Sequence, residues 1–172
     1  MQAIGQGKKE NQVMNSDEIG QLYQQTRLAL HGVVILLLGL LSGIGFSYAA
    51  TIAEPGSEFY GTWRFAHVEG IVNGLLVLAI AAVWHLMNVN RPGVSAARWL
   101  LLLGCYANAI GPIVTAIFIG HRVIVPHTAL EAVVVFGFYL PGTLPLISLM
   151  VFAANLYRSC RKRYYLYRSS LS

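Results

Sequence analysis

Four long apolar runs constrain the fold of this 172-residue chain more than any other feature. They cover residues 28–52, 65–87, 99–119 and 128–156. About 20 apolar residues let a helix cross the hydrocarbon core of a bilayer, and each run reaches that length. No run shows the period of two that a membrane-spanning barrel strand requires. We therefore predict an all-α membrane protein in which residues 16–157 form a bundle of four transmembrane helices.

The sequence outside the runs leaves little material for a soluble domain, because 56% of the residues are hydrophobic and only 11% are charged. Residues 1–15 are polar, and we predict that they are disordered. Residues 158–172 are predicted to be a basic cytoplasmic tail. Asn15 followed by Glu18 is the pattern of a capped helix start, so the first helix is predicted to begin near Ser16.

The distribution of positive charge predicts the topology. With four crossings, both termini and the loop between the second and third runs share one side of the membrane, and that side carries ten of the 12 Lys and Arg residues. Only Arg64 and Arg122 lie on the other side. The excess predicts that both termini are cytoplasmic. We attribute the net charge of +5 to this topology and to anionic lipid headgroups, not to nucleic acid. An inner or plasma membrane is the expected location.

The second run contains polar groups that are costly at membrane depth and therefore indicate a function. His67 shares a helix face with Gly70 and Gly74, which are four residues apart and allow a second helix to approach closely. Glu69 and Asn73 form an i,i+4 pair on the nearly opposite face. These two sets would therefore meet one ligand only between the subunits of an oligomer.

Two interpretations of His67 follow from the residues alone. A neutral imidazole is a good iron ligand, and Gly70 and Gly74 would leave a flat clearance for a planar macrocycle. Alternatively, His67 is an interfacial histidine bonded to Glu131, and the glycines serve helix packing only.

Other runs add further candidates. Gly39 and Gly43 in the first run predict a helix-packing face. In the third run, Pro112 removes the helical partner of the Asn108 carbonyl, so a carbonyl, a carboxamide and the Tyr106 hydroxyl are predicted near mid-membrane. This break is interpreted either as functional or as a structural kink.

The fourth run is long for one crossing, and Pro141 and Pro145 predict that it tilts or kinks.

A family resemblance rests mainly on residues 66–74, Ala-His-Val-Glu-Gly-Ile-Val-Asn-Gly, and on the apolar run after them that ends in Trp84. This stretch resembles the hydroxylaminobenzene mutases, and its Ala-His and Asn-Gly elements are similar to those of the styrene oxide isomerases. Tyr-Ala-Asn at 106–108 is similar to the third span of the mutases. Leu-His-Gly at 30–32 is similar to the start of the first span of the isomerases. The resemblance covers roughly residues 28–157.

The resemblance implies a four-helix, trimeric membrane protein with haem b between its subunits and a ferric iron that acts as a Lewis acid. The axial histidine of the isomerases matches His67, and their substrate-side asparagine matches Asn73. The isomerases use an aspartate and a tyrosine in the third span, where this chain has Asn108 and either Thr115 or Ala116.

The mutases carry a glutamate at the position of Glu69, so mutase-like chemistry is favoured. The leading hypothesis is an isomerase without net redox that acts on a small apolar aromatic substrate, either an arylhydroxylamine or an epoxide. It assigns haem b to His67, Gly70 and Gly74, with His67 as the axial ligand. The residues assigned to catalysis are Glu69, Asn73, Asn108 and Tyr106.

Two alternatives of other classes remain. His67 and His85 share a face of the second run, so pairing with His127 and His31 would make a di-haem b-type electron carrier. A haem-free membrane interaction protein is the third hypothesis.

Overall fold

The computed structural model describes residues 15–170. Residues 1–14, which hold nearly all of the stretch predicted to be disordered, lie outside this part, as do residues 171 and 172. Throughout the described residues the regular structure is helical. The helices are α1 (Ser16–Ile52), α2 (Glu58–Val83), α3 (Val94–Phe118), α4 (Ala129–Val134) and α5 (Leu144–Ser169).

Four helical stretches are long and apolar enough to cross a membrane, which confirms the predicted four-span, all-α fold. The first three are α1, α2 with the 3₁₀ turn Trp84–Leu86 that follows it, and α3. The fourth is composite and runs from Ala129 to Ser169. The placement of both termini in the cytoplasm stays a prediction.

The start of α1 agrees with the capping pattern in the sequence. The Asn15 backbone N–H donates to the Glu18 carboxylate at 3.1 Å, and the helix begins at Ser16. With 37 residues, α1 is about 55 Å long and exceeds the thickness of a bilayer core. Part of α1 therefore extends beyond the hydrocarbon.

Glycines bring α1 and α2 into backbone contact. A Cβ at Gly70 would overlap the Cα of Gly39, and a Cβ at Gly74 would lie 2.6 Å from the Cα of Leu36. Only hydrogen fits at these positions, so the sequence spacing correctly predicted a close helix pair.

The spans pack tightly at what we call the closed end, which comprises Trp84, Asn88, Phe152 and Asn155. Trp84 is fully buried, and its ring centroid lies 6.0 Å from that of Phe152. The Asn155 side chain accepts from the Asn88 backbone N–H at 3.0 Å and donates to the Asn88 carbonyl at 3.1 Å. Asn155 therefore links α5 to the turn that follows α2 by two hydrogen bonds.

The fourth crossing is irregular, as its prolines predicted. Six residues of α4 pass into a π-helical turn, Val135–Tyr139, and then into a 3₁₀ turn, Pro141–Thr143, before α5 begins. Pro145 lies in the first turn of α5, where its missing N–H removes no helical bond. By contrast, Pro112 is buried within an α3 that is continuous from Val94 to Phe118.

Candidate functional site

Three polar side chains from two spans form a hydrogen-bonded cluster. The Asn73 amide nitrogen donates to the Glu69 carboxylate at 3.0 Å and to the Glu69 backbone carbonyl at 2.9 Å. The Asn108 amide nitrogen donates to the Asn73 side-chain oxygen at 3.3 Å and to the Gly142 carbonyl at 3.0 Å. The predicted Glu69–Asn73 pair therefore exists, and Asn108 joins it from α3.

The hydrogen bonds of this cluster leave one carboxylate oxygen unused. Both protons of each amide group are donated, and only Oε2 of Glu69 accepts a bond. Within residues 15–170, Oε1 of Glu69 has no hydrogen-bond partner. A partly buried chain of amides that ends in a free carboxylate oxygen can hold the carboxylate in place while that oxygen exchanges a proton with a ligand.

A cavity of about 540 Å³ lies beside Glu69 and Asn108, between α2, α3, the loop after α3 and the fourth crossing. This volume is in the range that holds a small organic ligand. Its walls are mixed, with apolar side chains around a few polar groups, and the lining residues are Phe65, Glu69, Asn108, Arg122, Val123, Ile124, Tyr139, Gly142 and Thr143. We call this region, together with Asn73, the cavity end.

The loop after α3 brings a cation to the cavity end. The Arg122 guanidinium lies 4.7 Å from the ring centroid of Phe65, within the range of a cation–π contact. The site therefore combines a carboxylate, amides, a phenol and a guanidinium within a largely apolar surround.

Tyr139 is a cavity residue that the site assignment from sequence missed. Its hydroxyl lies 2.9 Å from Thr115 Oγ1, and Thr115 is buried. The sequence predicted an irregular helix near Pro141 but not the π-helical turn that ends at Tyr139. The signal that could have found it is a tyrosine two residues before a proline inside an apolar span.

His67 lies on the other side of α2, against α1. Its Nδ1 is 2.8 Å from the Gly39 carbonyl, and its ring stacks on Phe46 with centroids 6.0 Å apart. A carbonyl only accepts, so Nδ1 carries a proton, and in the neutral imidazole Nε2 then has the lone pair. A histidine whose Nδ1–H is held by a backbone carbonyl is the usual arrangement of a metal ligand, so His67 has the donor chemistry that would suit an iron ligand.

The alternative contact between His67 and Glu131 is wrong. The Glu131 carboxylate accepts from the backbone N–H groups of His127 at 2.6 Å and Thr128 at 3.3 Å. Its other oxygen lies 3.8 Å from His121 Nε2. Glu131 is therefore used by the start of its own helix, because an acceptor there satisfies N–H groups that have no helical partner.

The clearance that we expected beside Gly70 and Gly74 is filled. Gly39 and Leu36 of α1 occupy that face of α2 at backbone contact distance. Within one chain these glycines pack a helix and border no space for a macrocycle.

The structure also separates Tyr106 from the cluster. Its hydroxyl lies 3.0 Å from His31 Nδ1, and the two rings meet edge to face with centroids 5.8 Å apart. Positions 106 and 108 differ by about 200° around a helix, so Asn108 can reach the cluster while Tyr106 faces α1. Of the four residues assigned to catalysis, three come together and Tyr106 does not.

The histidines of the di-haem hypothesis lie in different surroundings, and that hypothesis stays a prediction. α2 ends at Val83, and His85 lies exposed on the 3₁₀ turn that follows. His31 is bonded to Tyr106, and His127 is exposed in a loop. In the described part of the chain, no three His, Cys, Asp or Glu residues form a group able to hold a metal ion.

The two faces of α2 thus keep the separation expected from helical geometry. His67 contacts α1, whereas Glu69 and Asn73 face α3 and the cavity. One chain alone does not bring both sets to the same ligand.

Comparison with known proteins identifies a family that this chain matches. Residues 24–157 match the family model described as styrene oxide isomerase. Hydroxylaminobenzene mutase HabA of Ectopseudomonas oleovorans is 31% identical over 87 residues, covering 51% of this chain and 58% of that protein. Hydroxylaminobenzene mutase HabB of the same organism is 30% identical over 82 residues, covering 48% of this chain and 45% of that protein. The chain spans about half the length of these two relatives.

Proposed function

The chain belongs to the styrene oxide isomerase family and is a multi-pass integral membrane protein, and from that premise we propose that it is a membrane isomerase. Its reaction is the rearrangement of a small apolar aryl substrate without net redox. Because both named relatives are hydroxylaminobenzene mutases, an arylhydroxylamine that becomes an aminophenol is the first substrate class. An epoxide that becomes a carbonyl compound is the second.

The observation that carries the proposal is the free carboxylate oxygen of Glu69 beside a cavity inside the spans. A structural amide network would satisfy all its members and leave no space next to them. Here Asn108 donates to the Asn73 side chain, and Asn73 donates to one oxygen of the Glu69 carboxylate and leaves the other free. A proton-transfer group needs this combination of fixed position and spare bonding capacity.

Glu69 moves the proton in the proposed reaction. Protonated on its free oxygen, it donates to the departing hydroxyl oxygen as the N–O bond breaks. The oxygen leaves as water, bonds to a ring carbon and returns one of its two protons to the Glu69 carboxylate. The ring carbon then loses its own proton and the nitrogen gains one, with the Glu69 carboxyl group as the relay. The acid is regenerated, and atoms and electrons balance within the substrate.

Asn73 and Asn108 orient the Glu69 carboxyl group and one edge of the substrate. The apolar walls of the cavity keep bulk water away from the electron-poor ring until the oxygen has bonded to carbon.

Haem b is the proposed cofactor, and His67 would hold it through Nε2. When bound, the iron supplies Lewis acidity that polarises the N–O or C–O bond. The Gly39 carbonyl fixes the His67 tautomer that this role requires, and Phe46 restricts the tilt of the ring.

The separation of His67 from Glu69 on α2 supports a site shared between subunits. The exposed apolar surface of one chain would then cover the neighbouring chain, and the assembly is a homo-oligomer, a trimer by family resemblance. An inner or plasma membrane is the proposed location.

The first test uses the full chain purified in detergent and phenylhydroxylamine as substrate. We expect its conversion to an aminophenol without an added reductant or oxidant, and one haem b per chain in a pyridine haemochrome assay. Glu54→Gln, which changes an exposed loop carboxylate, is the matched control for Glu69→Gln. A wild-type protein that holds haem but converts neither phenylhydroxylamine nor styrene oxide would contradict the proposal.

A second test examines the shared site. His67→Ala and Glu69→Gln chains, each expected to be inactive alone, are co-expressed with different tags and isolated as mixed oligomers. If the site lies between subunits, one interface in the mixture has both residues intact and activity returns. If activity stays absent although mixed oligomers form, the two residues do not cooperate across an interface.

A further inference from the structure

The π-helical turn in the fourth crossing directs one hydroxyl to the cavity end. The Leu140 N–H donates to the Val135 carbonyl at 2.8 Å, five residues back, which inserts an extra residue into the turn that ends at Tyr139. Such insertions re-aim side chains and recur at functional sites. Gly111 of α3 makes room, since a Cβ there would lie 2.6 Å from that of Phe138 and 3.6 Å from the Tyr139 ring.

Hydrogen counting sets the direction of the bond between Tyr139 and Thr115. The Thr115 hydroxyl has one proton and donates it to the Gly111 carbonyl at 2.9 Å. The 2.9 Å contact with Tyr139 is then a bond that Tyr139 donates. The Tyr139 oxygen keeps its lone pairs for a ligand, and Tyr139 lines the same cavity as Glu69 and Asn108.

This arrangement is reversible at low cost. The Gly111 carbonyl also accepts the helical bond from the Thr115 backbone N–H, so it stays satisfied if the Thr115 hydroxyl turns away. Thr115 then donates to the Tyr139 oxygen, and Tyr139 is free to donate its own proton into the cavity. The pair can therefore accept from a hydroxyl group or donate to an unprotonated oxygen.

We infer that Tyr139 binds the oxygen atom of an oxygen-bearing arene in the cavity, and that Thr115 is the positioning residue that sets the direction of the Tyr139 proton. The identification of this arene with the substrate rests on the proposed function. In that reaction the same oxygen is first a hydroxyl, then the atom that forms the new bond, and finally a phenol. A partner able to accept and to donate suits each of these states.

The test is direct binding, which does not depend on turnover. 2-Aminophenol, and aniline as the oxygen-free probe, are titrated calorimetrically under argon into the full chain in detergent. Loss of one neutral hydrogen bond predicts that Tyr139→Phe weakens 2-aminophenol binding about five-fold and leaves aniline binding unchanged. Tyr157→Phe, at an exposed tyrosine on α5, is the matched control and should change neither affinity.

Thr115 is tested by a pair of variants. Thr115→Val keeps the shape and removes the hydroxyl, and it should weaken 2-aminophenol selectively, whereas Thr115→Ser should restore wild-type affinity. Equal binding of 2-aminophenol by wild type and Tyr139→Phe would overturn the inference. So would an equal loss for aniline, which indicates a packing defect, or a wild-type chain that binds 2-aminophenol no better than aniline.

Activity separates this inference from the proposed function. If the wild type rearranges phenylhydroxylamine, Tyr139→Phe should raise its KM about five-fold. If the wild type rearranges nothing but Tyr139→Phe still loses 2-aminophenol affinity selectively, the proposed function fails and the binding role of Tyr139 stands.

Discussion

The closed end and the cavity end of the bundle use the same residue types for different purposes. At the closed end, the Asn155 side-chain oxygen and nitrogen both form hydrogen bonds with the backbone of Asn88. Trp84 is fully buried between the spans. At the cavity end, Asn108 donates to Asn73, and Asn73 donates to Glu69, whose second carboxylate oxygen has no partner in the described residues. A polar side chain in a span therefore indicates function when it keeps spare bonding capacity beside a space.

The difference also separates stability from activity. The buried contact between Trp84 and Phe152 at the closed end stabilises the helices against one another. At the cavity end, a cavity replaces contacts between the spans, and the fourth crossing has a π-helical turn in place of a regular α-helix. Variants at the two ends should therefore change different measured quantities.

The largest stability effect is expected from Trp84→Ala at the closed end. Removing this fully buried ring leaves a cavity and should lower the free energy of unfolding by on the order of 3 kcal/mol, measured by thermal melting in detergent. Activity per folded molecule should persist. Trp99→Ala, at an exposed indole, is the control.

Trp84→Phe separates the contribution of the buried ring from that of the indole N–H. It removes a buried indole N–H that has no hydrogen-bond partner within residues 15–170, and it keeps an aromatic ring at this position. A loss as large as that of Trp84→Ala would mean that the ring contributes little to packing.

The opposite behaviour is expected of Glu69→Gln at the cavity end. Loss of a positioned acid should lower kcat for phenylhydroxylamine by about 100-fold or more, with an unchanged melting temperature. Steady-state kinetics and a melting curve on one preparation measure both quantities. If the melting temperature fell so far that unfolding explained the lost activity, Glu69 would contribute to stability, and the proposed division between a stabilising closed end and a catalytic cavity end would be wrong.

Asn155→Leu is expected to have an intermediate effect. It leaves the Asn88 N–H without a partner in the described residues, whereas the Asn88 carbonyl keeps the Arg91 N–H at 3.3 Å, and it should lower the free energy of unfolding by about 1–2 kcal/mol. Chemical denaturation in mixed micelles measures the loss. Asn90→Leu, in the exposed part of the same turn, should change it little.

The smallest effect is expected from Thr128→Ala at the start of α4. Thr128 Oγ1 accepts from the Glu131 N–H at 3.2 Å, and loss of a helix cap costs about 1 kcal/mol. Thr128→Ser should retain the cap and the stability. If Thr128→Ala lowered the free energy of unfolding as much as Trp84→Ala, the start of α4 would be as important for folding as the closed end.

Much of the fold was accessible from local patterns. Apolar length predicted four spans, the Asn15–Glu18 pattern predicted the start of α1, and the spacing of Gly70 and Gly74 predicted a close helix partner. Helical periodicity alone also predicted that His67 and Glu69 point away from each other. Each of these follows from backbone geometry within one helix, so no knowledge of neighbours was needed.

The site was predicted in part. Glu69, Asn73 and Asn108 do meet, because their faces happen to point across the α2–α3 contact. Tyr106 turned to His31, and the macrocycle clearance at Gly70 was filled by α1. Periodicity states which residues share a face but not which helix covers that face.

By itself, the sequence determined an all-helical chain with four spans and polar groups buried on two faces of the second span. A lipid solvent enforces helices because every backbone N–H and carbonyl must be satisfied within its own segment. Only the tertiary structure decided that one face meets α1 and the other a cavity, and that Tyr139 reaches Thr115. Those choices depend on side-chain packing between segments distant in sequence and on one extra residue in a turn, neither of which follows from helical periodicity.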